Sequence, residues 1–231
     1  MCSKRRTAQR DNNRENVENL IYIMVDIKYY TKLLFNEETG KERYSLAQKE
    51  AEKIYTENTI EYCWNFAMEC YNCELPYIQM LGVYILGLIG NQEALHFLKN
   101  TVSENSAWQI QEFLAMAFDN YCKKNGYENS LKTINEWLSN ENANIRRAVT
   151  EGLRIWTKRP HFKDNPEATI KLLSKYKTDV SEYVRKSVGN AIKDISKEYP
   201  ELVMKELSKW KLDTKELKQV YNLANKVIEK H

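Results

Sequence analysis

Turn-forming residues are scarce in this 231-residue chain, which has only 7 Gly and 4 Pro. An all-β fold of this length would need many tight turns, so a sandwich or barrel is excluded. No run of about 18 apolar residues occurs, which leaves no candidate for a membrane span. With 29% of residues charged, the chain is expected to be soluble. It begins Met1-Cys2-Ser3-Lys4-Arg5-Arg6 with no apolar stretch behind, so it does not read as a secretory signal. Histidine is limited to His96, His161 and His231, none of them beside a Ser or Cys nucleophile motif. There is no P-loop, no G-x-G-x-x-G and no H-E-x-x-H, which argues against nucleotide hydrolysis and zinc proteolysis.

The five cysteines (Cys2, Cys63, Cys70, Cys73 and Cys122) are odd in number and lack disulfide-like spacing. That usage suits a reducing compartment, and a cytoplasmic location is expected. Cys70 and Cys73 form a lone C-x-x-C. Structural zinc needs four ligands, and no second Cys/His pair lies nearby. A redox role would need a βαβ setting, which is missing. These residues are expected to be ordinary buried or half-buried thiols at a helix end. No metal and no nucleotide or other cofactor is expected.

What the chain does contain is one short phrase repeated four times. It runs Ile78-Gln79-Met80-Leu81-Gly82, Ile110-Gln111-Glu112-Phe113-Leu114, Ile145-Arg146-Arg147-Ala148-Val149 and Val184-Arg185-Lys186-Ser187-Val188. The steps between copies are 32, 35 and 39 residues. Spacing of that size marks a helical repeat array. Equivalent positions then line up in space, and Glu112, Arg147 and Lys186 are expected to project onto one common surface.

Helical spacing of apolar residues supports this order. A first helix is predicted over Asn16 to Phe35, a turn over Asn36 to Gly40, and helices over Lys41 to Tyr55 and Thr59 to Cys70. Pro76 starts the next helix, and Gly90-Asn91 closes it. Ser106 is the expected cap of a helix to Cys122, and Asn142 or Asn144 that of a helix running to Trp156. Asn165, Ser181, and Asp213 or Thr214 are the later expected caps. No strand pairing is predicted. Residues 1–15, with Arg5, Arg6, Arg10 and Arg14, read as a flexible basic arm. Residues 16–231 read as a single repeat domain, one continuous α-superhelix.

The net charge of +3 hides an asymmetry. Residues 142–231 hold 20 Lys and Arg against 12 Asp and Glu, leaving 15 and 20 for residues 1–141. A surface with Arg146, Arg147, Arg154, Lys158, Arg159, Arg185, Lys186 and Lys193 suits a phosphate backbone, because the Arg fork pairs with phosphate oxygens and bound counterions are released. A lysine-rich solvated surface explains the same balance equally well. Arg146 and Arg147 are adjacent and cannot share a helix face. Arg146 and Arg185 are expected to bond a turn of the next repeat, and Arg147 to face the open surface. Trp108 and Glu112 stand four apart, hence on one face. An indole stacks on a base or a cationic ring, and a carboxylate beside it stabilises developing positive charge or orients a water. More commonly such a pair is a packed Trp beside a surface Glu.

The blocks Asn142-Ala-Asn-Ile-Arg-Arg-Ala-Val-Thr-Glu-Gly-Leu-Arg154 and Ser181-Glu-Tyr-Val-Arg-Lys-Ser-Val-Gly-Asn-Ala-Ile-Lys-Asp-Ile-Ser-Lys-Glu-Tyr-Pro200 resemble the HEAT-like alkylpurine DNA glycosylases, the AlkC/AlkD family. The overlap covers about residues 75 to 210. The resemblance implies a C-shaped HEAT-like α-α solenoid whose concave basic face cups duplex DNA. It implies excision of N3- or N7-alkylated purines by hydrolysis of the N-glycosidic bond, without a cofactor and by a monomer. By position, Trp108 resembles the indole at the damaged nucleotide, Glu112 the catalytic carboxylate, and Arg147 the arginine at the backbone. Asp194 matches the AlkC pattern as a second carboxylate. Arg154, Lys158, Lys186 and Asn190 fall among the expected DNA contacts. Three departures stand out. Glu112 replaces the Asp of AlkD-type members, Asn190 replaces a cleft Trp, and residues 41–66 lack their Gly- and basic-rich stretch. Two readings therefore stay open: a DNA N-glycosylase, and a non-catalytic relative that binds DNA structures or proteins.

Overall fold

The computed structural model describes residues 26–228. The expected basic arm over 1–15, the start of the first helix, Cys2 and His231 lie outside them. Helix α1 is described over residues 26–34. It is followed by α2 (Tyr44–Glu57), α3 (Ile60–Asn72), α4 (Pro76–Ile89), α5 (Gln92–Asn100), α6 (Trp108–Asn125), α7 (Leu131–Leu138) and α8 (Ala143–Gly152). Then come α9 (Pro160–Asp164), α10 (Pro166–Ser174), α11 (Glu182–Ser196), α12 (Pro200–Leu207) and α13 (Lys215–Asn225). The architecture is an all-α helical repeat. One exception to the predicted absence of strands is a two-residue antiparallel pair, Phe35–Asn36 with Lys41–Glu42. Gly40 reverses the chain there at φ +62°, and strands this short carry no alternating pattern to read.

A single repeat domain is the sequence expectation for 16–231. The described residues divide into two compact units, one up to Ile85 and one from Leu86, with the division inside α4. In the first unit α2 buries Ala47, Ala51 and Ile54, the stripe its sequence spells. Helix α3 buries Cys63, Phe66, Ala67 and Cys70. Burial pushes the Cys70 thiol well above its ordinary pKa, and in the second unit burial raises Cys122 to about 12. Cys63, Cys70, Cys73 and Cys122 are free thiols, and Cys73 sits half-buried at the α3 C-terminus.

In the second unit α6, α8, α11 and α13 pack as a row, each against the next. Gly152 sets the α6–α8 approach: a Cβ there would lie 2.2 Å from the Ala115 carbonyl oxygen, so only a hydrogen fits. Phe118 packs on Trp137 with ring centroids 4.4 Å apart. Trp156 meets Phe162 edge-on at 4.6 Å. Helix α8 stops at Gly152 rather than running to Trp156. The Trp156 ring is fully buried, and the chain leaves the helical path to place it, with Ile155 left-handed at φ 62°. That conformation costs a β-branched residue about 1–2 kcal/mol.

Each repeat phrase fastens the backbone just upstream of its helix, and its second residue does the work. Gln111 Nε2 donates to the Asn105 carbonyl at 2.6 Å and the Val102 carbonyl at 3.1 Å. Arg146 Nη1 donates to the carbonyls of Asn140 and Glu141, both at 2.8 Å. Arg185 Nη1 donates to those of Asp179 (2.7 Å) and Val180 (3.1 Å). In the first unit Gln79 Nε2 reaches the Tyr71 carbonyl at 3.0 Å. Arg146 also forks the Asp179 carboxylate, with both bonds at 2.7 Å. It thus ties its own turn to that of the next repeat, as expected. Arg185 departs from that expectation and stays on its own turn.

Capping follows the same logic. Asn142 and Thr214 cap as predicted, accepting from the amides of Asn144 and Leu217, and Asn91 caps α5. Ser106, Asn165 and Ser181 do not cap. In the turns before α6, α8 and α11 an Asx side chain accepts from the amide two residues on: Asn105 from Ala107 (2.9 Å), Asn140 from Asn142 (2.8 Å) and Asp179 from Ser181 (2.8 Å). This local bond shapes the turn before the helix begins. The Asn165 side chain instead donates to the His161 carbonyl.

Candidate nucleic-acid interface

Three stripes carry the expected site residues, all within the second unit. On α6 Trp108 and Glu112 share a face, and Asp119 continues it two turns beyond Glu112. On α8 the stripe is Arg147 and Glu151, with Arg154 just past the end of the helix. On α11 it is Lys186, Asn190 and Asp194. Trp108 stands at the start of α6 and is 62% exposed, uncommon for so large an apolar ring. The Glu112 carboxylate is ion-paired with the Arg147 guanidinium across α6 and α8. The expectation that Glu112 and Arg147 meet on one surface therefore holds. Lys186 is not part of that ion pair. It pairs with Glu182 on its own helix at 2.6 Å, in an exposed position.

The arginines of these stripes are not a row of open cations. Arg154 bonds Glu151 at 2.9 Å and Asp194 at 3.0 Å. Arg159 grips both oxygens of Asp119. Ser187 Oγ donates to Glu151 Oε2 at 2.8 Å, tying α11 to α8. Of the eight cations expected to form a basic surface, Arg146, Arg147, Arg154, Arg159 and Lys186 are ion-paired with carboxylates. Asp194, expected as a second carboxylate for chemistry, is buried and holds both Arg154 and Lys197. Burial acts to raise its pKa, but the hydrogen bonds from Lys197 and Arg154 outweigh that and hold it below the usual carboxylate range. Its visible role is to brace α11 against Arg154. Asn190 accepts from Lys193 Nζ at 3.0 Å.

Lys158 is exposed in the short 3-10 turn Trp156–Lys158. It lines an open cleft of about 950 Å³ together with Asp119, Lys123, Tyr127, Arg159 and His161. Tyr127 Oη donates to Asp119 Oδ1 at 3.0 Å, and burial, ahead of the Asp119 charge, pushes its pKa up. The sequence reading singled out neither Asp119 nor Tyr127. The signal available was the seven-residue step from Glu112, which returns Asp119 to the same helix face.

A family model described as DNA alkylation repair enzyme matches residues 40–223. The chain belongs to the DNA alkylation repair enzyme family. Within and around that family, the crystal structure of AlkD2 from Streptococcus mutans is similar at 45% identity and a TM-score of 0.80, covering 87% of this chain and 98% of AlkD2. The alkylpurine DNA glycosylase AlkC from Pseudomonas fluorescens, solved bound to DNA containing an abasic site analog, shares the fold at 18% identity and a TM-score of 0.62, with 93% of this chain and 63% of AlkC covered. Among curated proteins, YhaZ from Bacillus subtilis (strain 168) is 37% identical over 118 residues, or 49% of this chain. The match spans 30% of the length of YhaZ. No described helix of this family member is long and apolar enough to cross a membrane.

Proposed function

We propose that this protein binds duplex DNA through the face carrying Trp108, Glu112 and Arg147, and hydrolyses the N-glycosidic bond of N3- or N7-alkylated purines. One observation carries the reading: the Arg147 guanidinium holds the Glu112 carboxylate one helical turn from an exposed indole. An alkylated purine is cationic and already a good leaving group. As the C1′–N bond breaks, its electron pair neutralises the base and positive charge passes to the sugar. Glu112 stabilises that charge, orients the attacking water and takes its proton. Arg147 shares its donors between Glu112 and a backbone phosphate, and Trp108 packs on the lesion-bearing nucleotide. The fold shared with DNA-bound AlkC supports the DNA partner.

The test is base release from duplexes carrying N3-methyladenine or N7-methylguanine. Glu112→Gln keeps the shape and removes the charge, and release is expected to fall about a hundredfold or more. If the wild-type protein at high concentration releases neither base, the enzyme reading is overturned. The second reading is a non-catalytic DNA-binding relative. It is favoured by the engagement of Asp194 with Arg154 and Lys197, and by Asn190 standing where AlkD-type members have an aromatic wall. DNA binding without base release is its expected outcome.

A further inference from the structure

The turn before α11 and the first turn of that helix carry two of the more exposed apolar side chains among the described residues, Val180 at 92% and Tyr183 at 72%. An apolar tip on a slack loop would fold back onto the protein. This one is fastened from beneath. The Arg146 guanidinium forks the Asp179 carboxylate, the same carboxylate accepts from the Ser181 amide, and Arg185 holds the carbonyls of Asp179 and Val180. Rigid presentation of apolar surface lowers the ordering cost of binding.

The turn repeats the one that precedes Trp108, with Tyr183 displaced by one residue, about 100° around the helix. Asn105 precedes Ile110 by five residues and Asp179 precedes Val184 by five. Trp108 and Tyr183 lie two residues and one residue before those same repeat positions. Both turns are shaped by the same Asx bond and clasped by the second residue of the phrase. The surroundings are positive: residues 175–186 hold Lys175, Lys177, Arg185 and Lys186 against Asp179 and Glu182, and Asp179 is matched by Arg146. An apolar ring amid net positive charge fits a polyanion that also offers apolar sugar and base-edge surface along its grooves.

We propose that Val180 and Tyr183 form a second contact point for duplex DNA, with the Tyr183 ring packing against a base or sugar edge and Val180 beside it. The proposal rests on the DNA-binding reading above. Helices α6 and α11 are separated by two interhelical steps, roughly 16–20 Å in all. Trp108 and Tyr183 would then touch one duplex roughly five base steps apart, at about 3.4 Å per step.

The experiment is an anisotropy titration of a labelled, undamaged 16-base-pair duplex at several salt concentrations. Tyr183→Ala is expected to bind about tenfold more weakly with an unchanged salt slope, because no charge is lost. Tyr183→Phe restores binding, and Val180→Ser weakens it severalfold. Lys186→Ala, in contrast, lowers the salt slope by about one. Thermal melts of Tyr183→Ala and Val180→Ser, both surface changes, are expected to match the wild type. If the wild type binds and a Val180→Ser/Tyr183→Ala double variant binds equally well, the tip does not touch DNA. That outcome overturns this inference alone. If the wild type fails to bind at low salt, the DNA-binding reading falls with it.

Discussion

Arg146 and Arg147 are neighbours on α8, and each bonds a carboxylate from an adjacent repeat, yet their surroundings are opposite. The Arg146–Asp179 pair is sealed, its side chains 9% and 6% exposed. The Arg147–Glu112 pair is open, at 17% and 36%. The first pair also satisfies backbone carbonyls and shapes a turn. The second stands beside an exposed indole. Burial, more than residue type or spacing, separates the brace from the pair that a ligand can reach.

The largest expected effect comes from breaking the brace. Arg146→Leu leaves Asp179 buried without its partner, and should lower stability by about 3–5 kcal/mol, measured as a drop in the urea midpoint. A loss under about 1 kcal/mol would erase the distinction between the two pairs. Acid sharpens the comparison next. Burial raises the Asp179 pKa, but the Arg146 and Ser181 hydrogen bonds prevail and hold it below its ordinary value. A carboxylate depressed on folding contributes stability that is complete above its unfolded pKa of about 3.9, and loses it as pH falls toward the folded value. Between pH 5 and pH 3 the melting temperature of the wild type should therefore fall more steeply than that of Asp179→Asn. Parallel curves would contradict this account. The smallest effect on stability belongs to the open pair. Arg147→Gln should change the urea midpoint by less than about 1 kcal/mol, while the salt slope of DNA binding falls by about one. A large loss of stability would show that Arg147 is a second brace.

The repeat array was legible because its phrase recurs along the chain, and the helices follow apolar stripes such as Ala47, Ala51 and Ile54. The division of labour between Arg146 and Arg147 was also legible, since adjacent helical residues must point apart. The ion-pair partners were not. Asp179, Glu112 and Asp119 lie 33 to 40 residues from the arginines they hold, and no local pattern encodes that distance. Charge counting likewise carries no pairing: it does not tell that Arg147 and Arg159 hold Glu112 and Asp119 from an earlier helix. The caps at Ser106 and Ser181 were misplaced because Asn105 and Asp179, just upstream, shape those turns first. The early stop of α8 depends on where the Trp156 ring must lie, which only packing decides.

The backbone clasps made by Gln79, Gln111, Arg146 and Arg185 each join residues five to nine apart. Loops that short close in well under a microsecond. A corner of the array can therefore set while the chain is still leaving the ribosome, before the next helix has been made. Synthesis would then add finished corners one after another, each waiting only for its neighbour to dock.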